Sequence, residues 1–142
     1  MYIDSIRNGI VIDHIAAGKG TRLYRLLRLD ELDCAVALIT NAVSAKMGRK
    51  DIIKIDGNFD LDMDILGFVD PHATVNVIRD GELFEKRSIA LPRRLTNILF
   101  CRNPRCITST EQELPQVFTL DDSGEGVYRC LYCEAASGRT EE

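Results

Sequence analysis

Two groups of side chains in this 142-residue chain are of types and spacings that do chemistry. The first is a set of four cysteines: Cys101 and Cys106 as Cys-x4-Cys, then Cys130 and Cys133 as Cys-x2-Cys. Thiolates so spaced can close a tetrahedral zinc site, and four sulfur ligands leave no position open for water or substrate. Such a site is a fastener, not a reaction centre. The competing reading, buried free thiols, leaves two close pairs unexplained. A small module has little core without its metal, which would supply about 10–16 kcal/mol. The fifth cysteine, Cys34 in CAVALI, reads as a small buried hydrophobe.

The second group lies in the first half. Lys50 and Lys54 are four apart, which places both on one side of a strand while Ile53 and Ile55 face the core. Two ammonium groups on one surface suit a polyanion such as a triphosphate; taken alone, such a pair is more often plain solvated charge. Asp13 and His14 sit late in the apolar segment VIDHI. A polar pair there costs burial energy unless it has partners, or it marks a strand end meeting solvent. His14 would add pH dependence near neutrality. No nucleophile–base pairing, Gly-rich phosphate loop or open metal site suggests an enzyme.

The elements that must position these groups follow from periodicity. Gly9 to Ile15 reads as a strand, and Thr21 to Leu29 as an amphipathic helix with Thr21 at its N-cap. Cys34 to Thr40 and Asp51 to Asp56 read as strands, and Asp60 as the cap of a short helix holding Leu61, Ile65 and Leu66. Ala73 to Arg79 alternates, Asp80-Gly81 signals a hairpin, and Glu82 to Lys86 returns. The order β-α-β-β-α-β plus a hairpin strand predicts an α+β chain. Its first part would be a ferredoxin-like split βαβ sheet with helices on one face, leaving the other face for a ligand or a second subunit. Arg87 to Asn97 reads as a connection, and short strands at 117–120 and 127–129 complete a small zinc-ribbon-like β domain. The predicted domains are 1–90 and 91–142.

Composition is that of a soluble globular protein, 45% hydrophobic and 28% charged. The longest apolar run, Cys34 to Ile39, cannot cross a bilayer, and the N-terminus lacks a signal-peptide pattern. Cysteines without export signals point to a reducing cytoplasm. The net charge of −4 argues against general nucleic-acid binding. Between Lys86 and Thr110, however, every charged residue is basic: Lys86, Arg87, Arg93, Arg94, Arg102 and Arg105. That stretch is either a solvated face offsetting the −2 charge of a tetrathiolate zinc or a docking surface for an acidic partner. A stand-alone zinc-ribbon protein binding nucleic acid through it is the alternative function; the scarcity of aromatics, with no tryptophan, argues against stacking platforms.

Several motifs agree in order and interval: VIDHI at 11–15, MGRKDIIKI at 47–55, PHATVN at 71–76, LPRRLTNILFC at 91–101, and the two cysteine pairs. Together they resemble the regulatory chain of aspartate carbamoyltransferase across nearly the whole chain. The resemblance implies a non-catalytic subunit of pyrimidine biosynthesis. Its N-terminal domain would bind ATP, CTP and UTP; its C-terminal domain would hold one zinc and contact the catalytic chain. It also implies a homodimer bridging catalytic trimers. Carried over residue by residue, the nucleotide site would comprise Asp4, Ile6, Val11, Asp13, His14, Lys50, Lys54, Asn76, Ile78, Leu83 and Lys86, with apolar walls from Ile6, Val11, Ile78 and Leu83. Read from sequence alone, Val11 and Ile78 would be plain core. Asp4 stands where relatives often carry a longer glutamate, and Arg105 where they can carry asparagine.

Overall fold

The computed structural model describes residues 6–136 and 138–140, the last two by backbone alone. Asp4 lies outside the described residues. The chain divides into two compact units, Met1–Ala90 and Leu91–Glu142.

The first unit is a five-stranded antiparallel sheet with helices on one face. Its strands are β1 (Gly9–Ala16), β2 (Ala35–Ser44), β3 (Gly48–Asp56), β4 (Thr74–Arg79) and β5 (Glu82–Arg87), in the order β2-β3-β1-β4-β5. β1 runs antiparallel to both neighbours, β3 and β4, so the two helical crossovers span the sheet as a split βαβ arrangement requires. The period-2 pattern explains the layering. Ile10, Ile12, Ile15, Ile53, Ile55 and Val75 point to one side and pack with Leu23, Leu27, Leu66 and Val69 of the helical segments in one cluster. Gly9 is obligatory: a Cβ there would collide with the Ile55 carbonyl oxygen.

Helix α1 spans Gly20–Leu26 and α2 Met63–Val69. Three expectations about them need correction. Thr21 does not cap α1; Lys19 holds the N-cap position without a side-chain bond, and the buried Asp51 carboxylate takes the Gly18 and Gly20 amides instead. α1 also stops before Leu29, because Arg28 turns left-handed (φ 54°) and a 3-10 turn, Leu29–Glu31, follows. Asp62, not Asp60, caps α2: its Oδ1 accepts from the Asp64 and Ile65 amides, and Leu61 precedes the helix.

The second unit holds two small antiparallel sheets. One contains β6 (Arg94–Thr96), β8 (Val117–Leu120) and β9 (Tyr128–Cys130); the other pairs β7 (Leu99–Cys101) with β10 (Gly138–Thr140). β6 falls inside the stretch expected to be mere connection. Its middle residue, Leu95, is fully buried, which a sequence window dominated by proline and arginines hides. Phe118 and Leu95 anchor this core, and Gly138 packs so closely that a Cβ would meet the Phe118 ring at 2.7 Å.

Candidate functional site

The second unit gathers Cys101, Cys106, Cys130 and Cys133, whose sulfurs all lie within 4.8 Å of one another. β7 delivers Cys101 and β9 delivers Cys130; the turns after these strands bring Cys106 and Cys133 back. Backbone bonds shape both turns, from Cys106 N–H to the Asn103 carbonyl and from Glu134 N–H to the Cys130 carbonyl. The Cys101–Cys133 and Cys106–Cys130 sulfur separations are both 3.7 Å. That excludes disulfides, and it fits an ion about 2.3 Å from each of four tetrahedral sulfurs, which sets them about 3.8 Å apart. The Thr108 hydroxyl donates to Cys106 Sγ at 3.1 Å, an outer bond that orients a ligand. Sequence reading missed Thr108, although its position two residues after a ligand is the available signal.

The thiols divide in their acidity. Burial, then the neighbouring sulfurs, push Cys101 up to about 12, and burial also raises Cys130. The Asn103 side chain and the Ala135 amide hold Cys133 down to about 7. Four sulfurs within 4.8 Å of one another cannot all carry charge without a cation between them. The donor set therefore fits a structural metal.

In the first unit, the sheet face opposite the helices carries the other predicted residues that are described, from Val11 to Lys86. Directly opposed residues share a face. The register Ala37↔Lys54↔Val11↔Asn76↔Lys86 therefore forms one row across all five strands. The row on one side of it, Gly9↔Ile78↔Leu83, is apolar, and Ile6 lies against Gly9. On the other side, Asp13 stands opposite Thr74. Lys50 Nζ reaches Asp13 Oδ1 at 3.0 Å. Lys50 and Lys54 share the face, but their Cα atoms are about 13 Å apart along the strand, so they flank the middle of the site.

His14 joins this face through a bulge. Between Ile12 and Ile15 the pairing of β1 with β3 shifts, and His14 adopts φ 58°. The extra residue lets Ile12 and Ile15 both stay in the core while Asp13 and His14 both serve the open face. The His14 amide donates to Asp13 Oδ1 at 2.6 Å, and His14 Nδ1 lies 3.1 Å from Thr74 Oγ1. Burial raises the Asp13 carboxyl, but the Lys50 bond, the His14 amide and the positive charges nearby outweigh it and leave it below the ordinary carboxylate value. Thr74 went unrecognised in the sequence; its alternation with Asn76 in ATVN was the clue. Val11 and Ile78 are half-buried on the open face, not in the core cluster.

A split βαβ sheet with an open polar-and-apolar face, joined to a tetrathiolate unit, defines a two-part polypeptide whose metal is structural. Comparison with known proteins is specific. Residues 1–90 match the family described as aspartate carbamoyltransferase regulatory chain, allosteric domain, and residues 93–141 match its metal binding domain. Aspartate carbamoyltransferase regulatory chains of Clostridium botulinum and Clostridium acetobutylicum are each 50% identical over 134 residues, 94% of this chain and 92% of theirs. That of Bifidobacterium longum is 44% identical over 134 residues, 94% of this chain and 96% of its own. The chain belongs to the aspartate carbamoyltransferase regulatory chain family.

Proposed function

We propose that this chain is a non-catalytic allosteric subunit that binds nucleoside triphosphates on the open sheet face and grips an aspartate carbamoyltransferase catalytic chain through a zinc-held C-terminal unit. The observation carrying the reading is the cross-sheet row Lys54–Val11–Asn76–Lys86, with an apolar end at Ile6, Ile78 and Leu83 and a charged end at Asp13, His14 and Lys50. A base would lie on the apolar end, where Asn76 offers an amide donor and acceptor, and the phosphates would meet the lysines and His14. ATP, CTP and UTP would compete for this face. Each would shift the assembly only by its differential affinity for two quaternary states, typically worth about 1–3 kcal/mol.

Zinc is the metal that best suits four thiolates with no open position. Four reduced cysteines also favour a cytoplasmic setting. In the second unit Ile107, Leu131 and Tyr132 are exposed beside the cysteine turns, near Arg102 and Arg105 in sequence, which supports docking of an acidic partner. In the first unit, β2 is an edge strand ten residues long without one charged side chain, and its Val43 is 79% exposed. An uncharged edge is a template for pairing, so a homodimer through β2 is the favoured contact. β5, the other edge, carries Glu82, Glu85, Lys86 and Arg87.

Calorimetry on the zinc-loaded chain tests the nucleotide part: CTP and ATP bind with micromolar to millimolar affinity if the reading holds, and no heat at millimolar ligand ends it. Co-purification with the catalytic chain, with and without a chelator, tests the docking part separately.

A further inference from the structure

Asp51 is a fully buried carboxylate that belongs neither to the open-face row nor to the metal unit. Its Oδ2 accepts from the Gly18 amide at 3.0 Å and the Gly20 amide at 2.9 Å, and its Oδ1 accepts from the Asn41 amide at 2.8 Å. Those amides come from two places, the turn after β1 and the edge strand β2. Both strands break register at the level of Asp51. β1 passes from Ile12↔Ile53 to Ile15↔Asp51, and β2 from Ile39↔Ile52 to Ala42↔Lys50. Each break holds one left-handed residue, His14 at φ 58° and Asn41 at φ 59°. An amide turned out of the ladder must find another acceptor, and Asp51 supplies one for Asn41. The seat is tight: a Cβ at position 20 would lie 2.8 Å from Asp51 Oδ2. The next residue along β3, Lys50, projects to the opposite face and meets Asp13 there.

We propose that Asp51 is the positioning residue for the charged end of the open face: its bond to Asn41 holds the β2 bulge, and its bonds to Gly18 and Gly20 anchor the turn that ends β1 just after the His14 bulge, so that Asp13, His14 and Lys50 stand together. The inference rests on the nucleotide reading above and deepens it. Asp51 touches no ligand; it acts through the strands on either side. The Gly18 and Gly20 amides in the turn after β1 are thus taken by the chain's own carboxylate.

The test uses the full-length, metal-loaded chain with two substitutions that disturb the seat by different routes. Asp51→Asn replaces one accepting oxygen by a donor, and Gly20→Ala pushes against the carboxylate. Asn41→Gly, which keeps both the amide and the left-handed backbone, is the control. Two readouts are taken: the NMR signals of the His14 amide and ring, and the ratio of CTP to cytidine affinity by calorimetry. Both disturbing variants shift the His14 signals and lower the ratio about tenfold, the loss of one charge-assisted contact. Cytidine affinity and the control stay as in the native chain. A purely supporting role for Asp51 would lower the melting temperature but leave the His14 signals and the ratio of the folded variants unchanged, and that result overturns the proposal. If Asp51→Asn does not fold, Gly20→Ala decides alone. If the native chain binds neither ligand, the nucleotide reading is what fails, and the His14 signals still decide whether Asp51 positions the bulge.

Discussion

Stripping the metal should unfold the C-terminal unit and spare the N-terminal one. The large apolar side chains buried in the second unit are Leu95, Leu99, Val117, Phe118 and Tyr128. At roughly 1.5–3 kcal/mol each they contribute about 8–15 kcal/mol, an upper figure because the unfolded chain already hides some surface. A tetrathiolate metal contributes about 10–16 kcal/mol. The two terms are of one size, so removing the ion takes about half of the favourable balance. Residual stability of a domain is about 5–15 kcal/mol, the same size as the loss. The first unit has its own continuous cluster, from Ile10 to Val75, and none of its members is a metal ligand. The assay is a chelator titration followed by backbone amide NMR, with metal content measured on the same sample. Amides of β6 to β9 should collapse to unfolded positions while those of β1 to β5 persist. If metal is gone and the Leu95, Phe118 and Cys130 amides keep their native shifts, the ion is not what holds this unit together.

Three further outcomes follow from the first unit. Lys54→Ala and Lys86→Ala should each weaken CTP binding about tenfold to a hundredfold, the value of a charge-assisted contact of about 1.5–3 kcal/mol, with little effect on cytidine; equal losses for both ligands would contradict the assigned roles. The Asp13 carboxyl is held below its ordinary value of 3.8, so its contribution to stability is fully present above that value and is lost as pH falls through the lower folded value. Denaturant melts of native chain and Asp13→Asn should therefore converge in acid, below about pH 3.8, and diverge above it; parallel curves across that window would remove the Lys50–Asp13 pair from the account. Val43→Lys places a charge on the bare edge of β2 and should shift a dimer toward monomer in analytical ultracentrifugation without lowering the melting temperature of the monomer; an unchanged sedimentation profile would move the dimer contact elsewhere.

What the sequence reveals and what it hides divide along a physical line. Strand existence was legible because Ile10, Ile12, Ile53, Ile55 and Val75 repeat with the period of a pleated strand, and burial enforces that period. The four-cysteine cluster is legible because thiols in two tight turns have few uses other than holding a metal. Helix starts were not. Asp60 and Thr21 have the right chemistry for caps, yet capping depends on which residue first adopts helical dihedrals, and that is set by tertiary bonds. Asp51, thirty-one residues away, takes the Gly20 amide and leaves Thr21 inside the helix. The same residue explains why the lysine pair was easier to notice than to place. Spacing alone puts Lys50 and Lys54 on one face, but cannot foresee that a bulge in β1 brings both Asp13 and His14 to that face, Asp13 against Lys50 and His14 against Thr74. The β2 bulge is a long-range decision, because the Asn41 amide that leaves the ladder finds its acceptor in the buried Asp51, ten residues away. Local sequence records the acceptor as one more aspartate. The open face therefore depends on bonds made on the other side of the sheet, where Asp51 points away from it.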